Sequence, residues 1–281
     1  MVWVIVAAAL LAAGYAFLVM PNPRRRFRPG PGELERAFAH RGLHGSGAPE
    51  NSLEAFRRAA RKGYGIELDV RLTRAGELVI LHDPDLARMC GADGKIADLT
   101  VSQIQAHKLL NTRETVPTLD QALEAVAPWA PPLIVEMKSA RGCEESLPSL
   151  LLEKMKAYPG FWCVESFDPR MVRWFRKHAP HVIRGQLAFD AKRAGDKMAK
   201  GWYALGGYLL MNFLSRPDFV AYRHDTDGNL SFRMVRRLFR PALAAWTVKT
   251  IQDFERLRAS YDLLIFEGFE PYTNNEKESI T

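Results

Sequence analysis

Eight short apolar runs, opening near residues 36, 66, 133, 161, 182, 207, 242 and 262, most constrain what this chain of 281 residues can fold into. Most are separated from the next run by a segment of helical periodicity. Strands that alternate with helices pair in parallel, because the crossover helix carries the chain back to the same end of the sheet. Eight such units in about 250 residues predict a TIM (β/α)8 barrel, with an open doubly wound sheet as the alternative. Helix starts agree with that spacing. Asn51 followed by Glu54, and Thr118 followed by Gln121, have capping-box spacing, and Asp168-Pro169 puts an N-cap before a first-turn proline. A barrel places its chemistry at the C-terminal ends of its strands. His40, Glu67 with Asp69, Glu136 with Lys138, Ser166 and Trp246 all fall at such ends.

The second run carries the clearest local pattern. Glu67, Asp69 and Arg71 alternate with Leu68, Val70 and Leu72, which is the period of a strand. Thr73-Arg74-Ala75-Gly76 reads as a turn, and Leu78-Val79-Ile80-Leu81 returns to His82-Asp83. Two carboxylates on one strand face repel each other and need a compensating charge such as a divalent cation, unless the face is simply solvated.

The N-terminus reads as a separate element. Val2 to Met20 contains no charged residue, and nineteen residues make a helix of about 28 Å, close to a bilayer's hydrocarbon thickness. A signal peptide would carry basic residues before its apolar run, whereas here Arg24, Arg25, Arg26 and Arg28 follow it. The expected division is a single-pass transmembrane anchor at 1–20, a basic juxtamembrane linker at 21–34 and a barrel domain at 35–281. The positive-inside rule puts that domain in the cytoplasm. The net charge of +7 suits an anionic partner, but part of it sits in the arginine cluster, so no nucleic-acid partner is expected. Cys90, Cys143 and Cys163 lack the spacing of a zinc site or a disulfide framework.

Taken together, the motifs resemble the glycerophosphodiester phosphodiesterases. The resemblance rests on Ala39-His40-Arg41-Gly42, Pro49-Glu50-Asn51-Ser52, Glu67-Leu68-Asp69-Val70, His82-Asp83-Pro84-Asp85-Leu86, Pro117-Thr118-Leu119, Glu136-Met137-Lys138, Ser166-Phe167 and Trp246-Thr247-Val248, in the family's order. It implies a TIM barrel with one divalent cation, calcium or magnesium, held by Glu67, Asp69 and Glu136, with Glu50 close by. All-oxygen ligation suits such hard cations. It also implies His40 and His82 as the acid–base pair, with Arg41 and Lys138 neutralising the phosphate. Asn51 is either a helix cap or a substrate contact. Trp246 and Phe167 either line the alcohol pocket or belong to the barrel core.

Two departures from the family pattern are Lys249 after Trp246-Thr247-Val248 and the strand ending Phe266-Glu267-Gly268-Phe269. Both are expected to affect substrate choice and not the acid–base or metal set. The implied activity is hydrolysis of glycerophosphodiesters to glycerol 3-phosphate and an alcohol. The alternatives are a lysophospholipase D acting on acyl-bearing lysophospholipids, a phospholipase C-like cleavage, or a non-catalytic membrane-tethered phosphate or lipid sensor.

Overall fold

The structure, a computed structural model, describes residues 1–23, 37–195 and 202–271. Among the described residues nine strands are formed: β1 (Ala37–His40), β2 (Gly65–Leu72), β3 (Leu78–Ile80), β4 (Leu133–Met137), β5 (Trp162–Ser166), β6 (Arg184–Ala188), β7 (Phe219–Arg223), β8 (Ala242–Val248) and β9 (Leu263–Phe266). β1, β2 and β4 to β9 pair in parallel around a ring that closes where β1 meets both β2 and β9. That closure is the TIM barrel and excludes the open sheet. β3 stands outside the ring, antiparallel to β2, as the hairpin reading required.

Strand parity decides which side chains enter the barrel. Phe38, Ile134, Cys163, Phe219, Ala221 and Ala244 pack into one buried interior cluster. Ile66, Leu68 and Val70 belong instead to the cluster between the strands and the surrounding helices. Alternation then turns Glu67 and Asp69 inward. The interior has room for large rings only where a neighbour has none. A Cβ on Gly185 would lie 2.2 Å from the ring of Phe219, its partner across the ladder, and one on Gly65 would lie 2.6 Å from Phe38.

Two expectations need correction. The run Gly207 to Met211 is not a strand. Trp202–Gly207 and Asn212–Ser215 are short helices, with Leu209 between them at φ +56°, and the sixth barrel strand is Phe219–Arg223. An apolar run alone does not separate a strand from a buried helical turn. The strand signal is instead the continuous apolar run Phe219-Val220-Ala221-Tyr222 that follows Pro217-Asp218. The cap of helix Leu53–Arg61 is Ser52, whose Oγ accepts from Ala55 N, and not Asn51.

The apolar N-terminal helix spans Val2–Val19, with a mean hydropathy of 2.4, long and apolar enough to cross a membrane. Residues 24–34 of the linker, with the arginine cluster, lie outside the described residues. Because Gly185 meets the Phe219 ring, Gly185→Ala should destabilise the barrel by about 1–3 kcal/mol, read from the urea midpoint.

Candidate active site

The C-terminal ends of β1, β2 and β4 bring the site together. Ligand oxygens of Glu67, Asp69 and Glu136 all lie within 4.8 Å of one another, and all three residues are buried. Asp69 and Glu136 face each other directly in the β2–β4 ladder. Lys138, one inward position beyond Glu136, bridges them, with Nζ 2.9 Å from Asp69 Oδ1 and 2.7 Å from Glu136 Oε1.

Arg41 closes the other side. Its backbone at φ +55° is in the left-handed region, and its N–H donates to Glu67 Oε2 at 3.0 Å. Its side chain donates to Glu50 at 2.8 Å and lies 3.2 Å from Asp69 Oδ2. Asn51, also left-handed at φ +58°, is buried and donates from Nδ2 to Asp69 Oδ2 at 2.8 Å. The residue that ends the loop, just before the helix cap Ser52, is thus committed to holding Asp69. Asparagine tolerates such a φ better than most residues.

Burial and mutual repulsion govern the charges. Desolvation raises Glu67 well above the usual carboxylate range, and Asp69, Glu136 and Glu165 push the same way. Desolvation likewise lifts Glu136 to about 7 against the pull of Lys138. Burial opposes ionisation of Asp69 too, but Lys138 and Arg41 outweigh it and keep that carboxyl low. Two fixed cations therefore do not neutralise the three acids, and a further positive charge fits among them.

The two histidines flank the cluster. His40 Nδ1 lies 3.0 Å from Glu267 Oε2, and its Nε2 lies 3.9 Å from Glu67 Oε2. His82 Nδ1 lies 2.7 Å from Asp83 Oδ1. In each case the ionised carboxylate only accepts, so Nδ1 carries the hydrogen and Nε2 is left as the free base of the neutral ring. Burial lowers both histidines, His40 against the pull of Glu267 and His82 with the help of Lys138. Arg71 donates from its guanidinium to the His82 carbonyl and fixes the end of the hairpin.

An ionic chain links the two sides. Arg88 donates to Asp83 and, through two nitrogens, to Glu50, which itself accepts from Arg41. Glu50 therefore joins the arginines and stays outside the carboxylate triad. Phe167 and Trp246 meet edge to face at 5.6 Å, and Phe189 joins them at 5.9 and 6.2 Å. These rings form an aromatic wall at the C-terminal ends of β5, β6 and β8.

Sequence reasoning missed three participants. Glu267 was read as a change in substrate preference alone, yet it holds His40. Its position at the C-terminal end of β9, where a barrel keeps its chemistry, was the available signal. Glu165 points into the barrel beside Glu136, its partner across the β4–β5 ladder, and its Oε2 has no hydrogen-bond partner among the described residues. Arg88 lies on the short helix Ala87–Cys90 and only the fold brings it to Glu50.

The hydrogen bond from His40 draws the Glu267 carboxyl down to about 2, against some desolvation. A depressed carboxyl adds stability above its ordinary value near 4.5 and loses it as pH falls toward the folded value. Glu267→Gln should therefore be less stable than the parent at neutral pH. The gap in urea midpoints should close as pH drops from about 4.5 to about 2; a gap constant with pH would show that the charge contributes nothing.

Comparison with known proteins agrees with this geometry. The description "Glycerophosphoryl diester phosphodiesterase family" matches residues 40–261. A glycerophosphodiester phosphodiesterase of Caldanaerobacter subterraneus is 32% identical over 161 residues, 53% of this chain and 65% of that protein. One from Bacillus altitudinis is 29% identical over 177 residues, 59% of this chain and 72% of that protein. Bovine glycerophosphodiester phosphodiesterase 1 is 32% identical over 185 residues, 62% of this chain and 55% of that protein. The chain thus matches just over half to under three quarters of the length of these relatives. Among solved structures, an Oleispira antarctica phosphodiesterase in complex with its product sn-glycerol-3-phosphate shares the fold, with a TM-score of 0.69 at 21% identity over 88% of this chain and 97% of that one. A Thermotoga maritima glycerophosphodiester phosphodiesterase has a TM-score of 0.62 at 25% identity over 82% and 93%. With most of the barrel matched from His40 onward, the chain belongs to the glycerophosphoryl diester phosphodiesterase family.

Proposed function

We propose that this protein hydrolyses glycerophosphodiesters to glycerol 3-phosphate and an alcohol, using one divalent cation and a pair of histidines. The observation that carries the reading is three buried carboxylates, Glu67, Asp69 and Glu136, converging in one barrel mouth with a free imidazole nitrogen on either flank. The solved relative that holds sn-glycerol-3-phosphate supports the product.

The carboxylates fit the cation. Their donor set is all oxygen, as calcium and magnesium prefer, and Lys138 and Arg41 leave Glu67 and Glu136 undercompensated. Bound there, the cation would supply a Lewis-acid charge beside the phosphate. The remaining work belongs to the chain. One neutral imidazole takes the proton of the attacking water as its oxygen bonds to phosphorus. The other, protonated, gives its proton to the alkoxide that leaves as the P–O bond breaks. His40 and His82 are those two groups; Glu267 and Asp83 orient them and stabilise each imidazolium. Lys138 and Arg41 balance the charge that gathers on the non-bridging oxygens. Asn51 acts through Asp69, and the wall of Phe167 and Trp246 packs against the alcohol.

The division into an anchor at 1–20, a linker at 21–34 and a catalytic domain at 35–281 belongs to the same proposal, with the anchor crossing once and the barrel on the cytoplasmic side. Lysophospholipase D-type hydrolysis is the second reading. It is favoured by the exposed apolar helix Val2–Val19 beside a barrel whose mouth has an aromatic wall.

Side-by-side assays of glycerophosphocholine, glycerophosphoethanolamine and lysophospholipids, with and without EDTA, test these readings. Turnover should disappear in EDTA and return with calcium or magnesium; full turnover in the chelator would sink the metal assignment. His82→Ala should fold normally and lose about 10²–10⁴-fold in kcat with little change in the urea midpoint.

A further inference from the structure

We infer that the barrel meets the bilayer with its open mouth, along a rim formed by Leu205, Tyr208 and Leu230. This rests on the reading of Val2–Val19 as a membrane helix and says which face of the enzyme that helix presents to lipid.

The end of the helix is built into the barrel wall. The last carbonyls of a helix have no partner within it. Here Phe17 O and Met20 O accept from Arg216 Nη1 at 3.3 and 2.7 Å, and Val19 O accepts from Asn212 Nδ2 at 2.8 Å. The Arg216 guanidinium also lies 4.6 Å over the Phe17 ring. Val19 is fully buried, and the Tyr15 hydroxyl is bonded to Ser231 Oγ. A helix held at Tyr15, Phe17, Val19 and Met20 cannot swing freely about its end.

The contacts also give its direction. Asn22 bonds through its backbone to Pro217 O and through its side chain to Asp218 Oδ1, and those residues immediately precede β7. Asn22 is therefore at the floor of the barrel. Ser231 lies near the start of the helix that descends after β7. It is two residues past Asn229, whose Nδ2 reaches the Tyr222 hydroxyl and the Gly207 carbonyl. Tyr222 is the fourth of five residues in β7. Going back from Asn22 to Tyr15 thus climbs the wall toward the mouth. The N-terminal helix runs antiparallel to the strands, as the other outer helices do, and the thirteen residues Val2–Gly14 carry about 20 Å farther in the same direction.

Crossing the hydrocarbon takes about 20 apolar residues, and this helix has 18. Its docked last turns must therefore sit close to the interface, which draws the neighbouring wall there as well. That wall exposes large apolar side chains. Leu205 and Tyr208 flank Gly207, Leu230 adjoins Ser231, and they are 42%, 39% and 65% exposed. A tyrosine between apolar neighbours suits the headgroup level. Meeting the bilayer with the floor instead would require the helix to leave Arg216 and Asn212, with Val19 uncovered. In the inferred pose a lipid-borne phosphodiester reaches the mouth without leaving the interface.

The test uses the full chain in a Cys90→Ser background, since Cys143 and Cys163 are buried. Single cysteines replace Leu205 or Leu230 at the rim, and Lys177 or Ala259 at the floor. Each variant carries an environment-sensitive fluorophore and is reconstituted in phosphatidylcholine vesicles containing a headgroup-level spin-labelled lipid. The rim probes should shift to the blue and be quenched several-fold more than the floor probes. Equal or stronger quenching at the floor overturns the pose, as does quenching at neither position. Vesicle flotation separates the two failures: a protein that floats without rim quenching refutes only the pose, and one that does not float refutes the membrane helix too. Arg216→Gln, which loosens the docked turn, should lower rim quenching while leaving hydrolysis of soluble glycerophosphocholine unchanged.

Discussion

Three carboxylates forced into one dry pocket set the terms for the rest of this protein. Carboxylates this close and this buried cannot all be ionised without cations among them. The barrel supplies two within reach, Lys138 and Arg41, and each is placed by its own constraint. Lys138 follows from parity, since it is the next inward residue after Glu136 on the same strand. Arg41 needs a left-handed backbone so that its amide and its guanidinium can serve Glu67 and Asp69 together. The loop that accepts this conformation is anchored by Asn51 on Asp69 and by Ser52 at the start of the next helix. Loop, helix start and strand face are thus solutions to one electrostatic problem.

The same problem reaches the surface through a chain of alternating charge. Asp69, Arg41, Glu50, Arg88, Asp83 and His82 are linked in that order by contacts of 3.2 Å or less. Exposed pairs of this kind contribute little individually to stability. Their effect here is positional: they hold the His82 hairpin against the β1 loop, so both imidazoles face the same carboxylates.

Much of this was legible in the sequence because it followed from period and order. The alternation Glu67-Leu68-Asp69-Val70 fixed which side chains enter the barrel, and the Gly76 turn returned His82 toward them. Eight strands could be counted, although one was misplaced: Gly207 to Met211 is apolar enough for a strand, but its residues pack as helical turns, a difference set by tertiary contacts. The cap at Ser52 instead of Asn51 turned on a hydrogen bond from Asn51 to a strand distant in sequence. Glu267 and Arg88 escaped for the same reason, because their partners, His40 and Glu50, are brought to them only by barrel closure and by the β3 excursion.

That excursion divides the site between two bodies. His40, Glu67, Asp69 and Glu136 sit on strands of the closed ring. His82 follows β3, whose Leu78 and Ile80 join the core between strands and helices, while Val79 packs with Leu81, Leu86, Met89, Ile96 and Ile104 in a small core of its own. Segments with their own small cores open at lower free energy than the ring they attach to. The carboxylate pocket and His40 can therefore outlast the placement of His82. On gradual heating or in mild denaturant, a state becomes accessible that keeps the barrel and its carboxylate pocket but has lost His82 from its rim, and return from that state requires only the hairpin to re-dock.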